Sequence, residues 1–137
     1  MYFAVVDSAS LIDPVILNNY PQIRVTVQDE PQSSATRYHY AFILKFENGN
    51  IEKIISEFQT VMLPAWFSFF WDDIGVYIVF DKEKFYINLK EGWAGSEAIR
   101  AIKFGREQGI TSEYLDFRKY FEPHQKMVAK LVNISNE

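Results

Sequence analysis

The sequence contains no cysteine. This absence excludes disulfide bonds, thiolate metal sites and cysteine nucleophiles within its 137 residues. It fits a reducing compartment, and we therefore expect a cytoplasmic protein. The apolar N-terminal stretch is short and reaches Asp7 without a basic segment, so it does not resemble a secretory signal.

Long apolar runs are also absent. The longest nearly uncharged stretch, 58–71, contains Pro64 and is shorter than the roughly 20 residues that span a bilayer. We therefore expect a soluble protein that does not enter a membrane. Its acidic balance, a net charge of −4, disfavours general nucleic-acid binding, which depends on neutralising phosphates.

Motifs for nucleotide, metal and covalent chemistry are missing. The six glycines form no phosphate loop, and no serine lies in a Gly-x-Ser-x-Gly elbow. The two histidines lack metal-ligand spacing. We expect His39 on a sheet face and His124 at a solvated helix start. The sequence predicts no cofactor, no metal and no catalytic residue, and a binding protein is preferred to an enzyme.

Aromatic side chains are abundant, at 17% of the chain. Their large apolar areas can fill a core without disulfides or metals at this length. The length is typical of one domain, and no internal repeat or low-complexity segment divides it. We therefore predict one domain over residues 1–137.

Hydrophobic periodicity predicts an α+β fold. Alternating side chains predict strands at 1–6, 23–27, 37–46, 76–80 and 85–89. Three-to-four spacing predicts helices at 51–62, from Ser96, and beyond 113, and Asp13 can cap a short helix. The run 66–71 fits neither period, and we interpret it as buried helical turns. Because the strands come in adjacent groups, we predict a mainly antiparallel sheet of about five strands with helices packed on one face, a two-layer sandwich.

Eight residues are candidates for a pocket or an interface. They are large aromatics, an adjacent acidic pair and two cations of one helix: Trp66, Trp71, Asp72, Asp73, Tyr77, Trp93, Arg100 and Lys103. Structural roles compete with function, since the aromatics can fill the core and the cations can pair with neighbouring acids. Adjacent carboxylates also point apart in an extended chain. Trp93, between two glycines, is the candidate for an exposed anchor.

Three classes of function remain open. The preferred one is a non-catalytic protein-binding module of the inhibitor, immunity or accessory type, such as mobile elements encode, with an unidentified protein partner or a second copy of itself. The alternative is a small-molecule binding domain with an aromatic pocket between sheet and helices, formed by residues such as Tyr40, Phe69, Trp71 and Tyr77. The third is an enzyme in which Asp72 or Asp73 acts with His39 or a tyrosine.

Overall fold

The computed structural model describes residues 1–29, 31, 37–47 and 49–135. In this part of the chain, one antiparallel sheet contains β1 (Tyr2–Asp7), β2 (Gln22–Asp29), β3 (Tyr38–Phe46), β4 (Ser68–Trp71), β5 (Gly75–Val79) and β6 (Lys84–Asn88). The helices are α1 (Ile51–Gln59), α2 (Ser96–Glu107) and α3 (Phe117–Ser135), with 3₁₀ turns at Ser8–Ser10, Pro14–Asn19 and Ser112–Leu115. The predicted α+β sandwich is confirmed, with six strands in the order β2-β3-β1-β4-β5-β6 rather than five.

The central strands β1 and β4 are buried on both faces of the sheet. Successive side chains of a strand point to opposite faces, so Val5 joins one core cluster and Val6 the other. In β4, Phe69 and Phe70 divide in the same way. Because neither face meets water here, each face needs its own cover of apolar side chains.

Helices supply that cover on both sides. On face A, defined by Val5 and Phe69, the cover comes from α2, α3 and the turn between them, with Phe121 of α3 fully buried. On face B, defined by Val6 and Phe70, Ile55 of α1 packs into the core. The expectation of helices on one face therefore describes α2 and α3, whereas α1 lies on the opposite side.

The run 66–71 contains strand β4 and not helical turns. Ser68–Trp71 pairs with β1 on one side and with β5 on the other. A strand in this position is apolar at nearly every residue, so the alternation that marks a half-buried strand disappears. The helical interpretation was wrong for this reason.

The last helix, α3, runs through Pro123 without a break. Proline has no N–H to donate to the carbonyl of Lys119, four residues earlier, which is why the sequence predicts a break or a kink there. Because the helix continues, Tyr120 and His124 are four residues apart on one helical face. Both side chains are half-buried.

Gly105 of α2 allows a close contact with Leu115 of the following 3₁₀ turn. A Cβ atom at position 105 would lie 2.4 Å from Cδ2 of Leu115. Replacing glycine by alanine inside a helix normally stabilises it by up to about 1 kcal/mol. Here we expect Gly105→Ala to lower the free energy of unfolding by about 1–2 kcal/mol, because overpacking outweighs helix propensity. Chemical denaturation measures the change.

The control is the same substitution in a Leu115→Ala background. Without the leucine methyl groups the overlap disappears, so Gly105→Ala should become neutral or stabilising there. A stabilising effect of Gly105→Ala in the otherwise unchanged chain would contradict the close contact.

Candidate functional site

A cavity of about 370 Å³ lies on face A between the sheet and the C-terminal part of the chain. Its apolar wall includes the aromatic rings of Trp66, Phe67 and Phe69. Its polar wall is formed by Asp7, Gln28, His39, Tyr114, Tyr120 and His124. The volume lies within the range of about 300–1,000 Å³ that is typical of small-molecule sites.

Distant parts of the chain meet at this cavity. Asp7 is the last residue of β1 and lies opposite Ala41 in the antiparallel register of β1 with β3. His39 precedes Ala41 by two residues on β3, so both side chains point to face A. His124 reaches the same cavity from α3.

The contact between His39 and Asp7 is the most specific polar feature of the cavity. Nδ1 of His39 lies 3.2 Å from Oδ2 of Asp7, and His39 is only 7% exposed. The second carboxylate oxygen, Oδ1, accepts a hydrogen bond from the backbone N–H of Ala9 at 2.8 Å. The carboxylate is therefore held on both oxygens.

Trp66 completes this side of the cavity. Its ring centroid lies 5.8 Å from that of His39, with the two planes tilted by 36°. The preceding residue, Ala65, has a φ of 65° and is the only non-glycine residue with positive φ in the described part of the chain. A left-handed conformation costs an alanine about 1–2 kcal/mol, and such strain is concentrated at ligand sites and active sites.

His124 is half-buried, so the expectation of a solvated histidine was wrong. Burial lowers the pKa of His124 below its ordinary value of 6.5, because an apolar environment disfavours the imidazolium ion. His124 is therefore a neutral donor or acceptor near pH 7. The sequence gives no sign of this burial, since Pro123 and the adjacent charges indicate a solvated helix start.

The eight candidate residues from the sequence do not form one site. Of these eight, all within the described chain, Trp66 alone lines the large cavity. Trp71 is buried, and its ring centroid lies 5.2 Å from that of Phe121. Trp93 is half-buried and not an exposed anchor. Its ring centroid lies 5.7 Å from that of Phe121.

The acidic pair lies away from His39. Oδ1 of Asp72 accepts hydrogen bonds from the backbone N–H groups of Ile74 and Gly75, at 2.9 and 3.0 Å, and closes the turn before β5. Asp73 is exposed. Asp7 has a carboxylate oxygen within hydrogen-bonding distance of His39, a pairing that sequence reasoning missed.

Face B holds a separate tyrosine cluster. The rings of Tyr77 and Tyr86 are 4.8 Å apart. Burial, together with the carboxylate of Asp72, raises the pKa of Tyr2 to about 12. Tyr40 also lies on this face, so the pocket expected from Tyr40, Phe69, Trp71 and Tyr77 does not form as one cavity.

The two cations of α2 are solvated. Arg100 pairs with Glu97, three residues earlier, and its guanidinium lies 5.7 Å from the ring centroid of Phe85. Lys103 is exposed. Exposed pairs of this kind contribute little to stability.

Neither a metal site nor a membrane span is found in the described residues. Within them, no group of three or more His, Cys, Asp or Glu side chains is arranged to hold a metal ion. No helix in the same residues is long and apolar enough to cross a membrane.

Comparison of the chain with protein-family models, with curated proteins and with solved structures finds no match.

The lowered pKa of His124 leads to a pH-dependent stability. Well above its ordinary pKa of about 6.5, histidine is neutral in both the folded and the unfolded chain, and the stability is fully present. As the pH falls, the unfolded chain is protonated first, so stability is lost until the pH has passed the lower pKa of the folded state. We expect the unfolding free energy of the unmodified chain to fall more between pH 7 and pH 5 than that of His124→Gln.

Denaturation curves across this pH range provide the measurement. The other titratable groups at the cavity, Asp7, His39, Tyr114 and Tyr120, are present in both proteins, so the difference isolates His124. Parallel pH profiles for the two proteins would contradict the burial of this imidazole.

Proposed function

We propose that this chain binds a small, planar and mostly apolar molecule in the cavity on face A. The observation that carries the proposal is one cavity that is lined both by aromatic rings and by a histidine–aspartate pair. Small-molecule sites combine these two features, because apolar walls supply affinity and a few placed polar groups fix the orientation.

The aromatic rings that line the cavity favour a planar ligand. Trp66 and Phe67 offer aromatic surface, and each Å² of apolar area removed from water contributes about 25 cal/mol. Among the described residues, those that line the cavity include no lysine or arginine. A strongly anionic ligand would therefore lack a counter-charge, so we assign an uncharged ligand with one or two carbonyl or hydroxyl groups. Tyr114 and His124 can hydrogen-bond to such groups.

Isothermal titration calorimetry with 2-naphthol, a planar molecule with one hydroxyl, tests the proposal. We expect saturable binding to the wild-type chain and at least tenfold weaker binding to Ile110→Trp, which fills the cavity from its wall. Naphthalene-2-sulfonate, which has the same rings and a negative charge, should bind less tightly than 2-naphthol.

Ile99→Trp is the matched control. Ile99 is 61% exposed on α2 and does not line the cavity, so the same substitution there should leave binding unchanged. Circular dichroism confirms that both variants fold. Absence of saturable binding, or equal binding to Ile110→Trp, would show that the cavity is not the site.

A second candidate is the protein-binding module, and a different surface favours it. At the β2–β3 end of face B, Val25, Val27, Tyr38 and Tyr40 are 45–57% exposed. Strand β2 lies at the edge of the sheet, and a free edge can accept a strand from another chain. This surface is apolar on one side, and in the described part of the chain no further strand lies beyond β2.

Site-specific photo-crosslinking in the native host tests this second candidate. We expect a photoreactive phenylalanine analogue at Val27 to yield a discrete adduct, whereas the same residue at the exposed control position Ile99 should not. An adduct of twice the chain's mass would identify a homodimer, and a different mass would identify a heterologous partner. Equal labelling at both positions would exclude a specific interface at β2.

A further inference from the structure

We infer that a second, smaller cavity binds a free α-amino acid with an aromatic side chain. This cavity, of about 300 Å³, lies between α2, the 3₁₀ turn Ser112–Leu115 and the start of α3. We call it the Trp93 cavity, and its wall combines apolar and charged side chains, among them Trp93, Ile102, Arg106, Asp116, Phe117 and Arg118. No described residue lines both this cavity and the large one, so the inference goes beyond the function proposed above and does not depend on it.

A defined turn holds Trp93 at this cavity. The backbone N–H of Gly92 donates to the carbonyl of Asn88 at 3.0 Å, and the side chain of Asn88 accepts from the N–H of Lys90 at 2.9 Å. Gly92 has a φ of 86°, a backbone conformation that residues with a side chain rarely adopt. The turn therefore fixes the indole against Phe121, while part of the ring remains accessible.

The apolar part of the wall suits one aromatic ring. Phe117, the first residue of α3, is buried, and Ile102 of α2 is half-buried. Aromatic rings pack favourably against one another in tilted or offset arrangements, and Trp93 and Phe117 both offer such a surface. The volume is at the lower end of the range of about 300–1,000 Å³ for small-molecule sites. It therefore fits a ligand of the size of one amino acid.

The polar part of the wall contains a cation and an anion that are not paired with each other. These are Arg106, in the last turn of α2, and Asp116, just before α3. In the described part of the chain, no ion pair involves either side chain. The second cation of the wall, Arg118, is already paired with Glu122, its Nε lying 2.6 Å from Oε1. The four charges sum to zero, so the wall matches a ligand that carries both charges and is neutral as a whole.

A free α-amino acid has the complementary groups. Its carboxylate can accept two parallel hydrogen bonds from the guanidinium of Arg106, and its ammonium group can donate to the carboxylate of Asp116. A ligand with only the carboxylate would meet the like charge of Asp116, and one with only the ammonium group would meet that of Arg106. The interior of a peptide carries neither charge.

Isothermal titration calorimetry with L-phenylalanine tests the inference. We expect saturable binding of L-phenylalanine. Hydrocinnamate, which lacks the ammonium group, and phenethylamine, which lacks the carboxylate, should each bind about tenfold more weakly, because each loses one charge-assisted contact. Absence of saturable binding, or equal binding of either analogue, would overturn the assignment of an amino acid.

Charge-removing substitutions identify the two polar contacts. We expect Arg106→Gln and Asp116→Asn each to weaken the binding of L-phenylalanine about tenfold. Phenethylamine, which has no carboxylate, should lose no affinity in Arg106→Gln. The matched controls are Lys103→Gln and Glu113→Gln, since both side chains are exposed and do not line the cavity. Equal losses in the control variants would show a general effect of charge and would contradict the assigned contacts.

Bulky substitutions locate the site. Ser112 is exposed and lines the Trp93 cavity, so Ser112→Trp should abolish the binding of L-phenylalanine and leave the binding of 2-naphthol unchanged. Ile110→Trp, which fills the large cavity, should leave the binding of L-phenylalanine unchanged. The reverse result would place the amino acid in the large cavity and overturn the inference. Because each cavity has its own ligand and its own blocking variant, the two proposals can fail separately. Circular dichroism verifies that each variant is folded.

Discussion

The burial of both faces of the central strands determines the rest of this structure. Phe69 and Phe70 are adjacent in β4, and each is almost fully buried on a different side of the sheet. Full burial of one such ring contributes about 2–3 kcal/mol, so neither face of β4 can remain uncovered. Helix α1 supplies the cover on one side and helices α2 and α3 supply it on the other. The layered architecture is the consequence of placing an aromatic strand at the centre.

The cavity lies where this packing gives way to polar side chains. In β1, Val5 belongs to the core of face A. Two residues later on the same face, Asp7 lines the cavity. In β3, Ala41 belongs to the core and His39, two residues before it, lines the cavity. Each strand thus changes from apolar to polar at the same end of the sheet. The arrangement supports a site in which the rigid sheet holds the carboxylate and the imidazole, and α3 closes the opposite wall.

The half-buried elements of the fold could be predicted from the sequence. The alternation in β3 and the three-to-four spacing of α1 match the structure. Strand β4 could not be recognised, because burial on both faces removes its periodicity. The site was even harder to predict from the sequence, because the contact between Asp7 and His39 depends on the register of β1 against β3. Local patterns determine which face a side chain takes but not which residue lies opposite.

The cavity joins the beginning of the chain to its end. Asp7 comes from the first strand and His124 from the last helix, and Trp66 lies between them in the sequence. Contacts between such distant residues close large loops, which is slow compared with the formation of local structure. The cavity is therefore complete only when α3 is packed on the sheet. The sheet supplies Asp7 and His39, and α3 supplies Tyr120 and His124, so the enclosure depends on the packing of two elements that are distant in sequence.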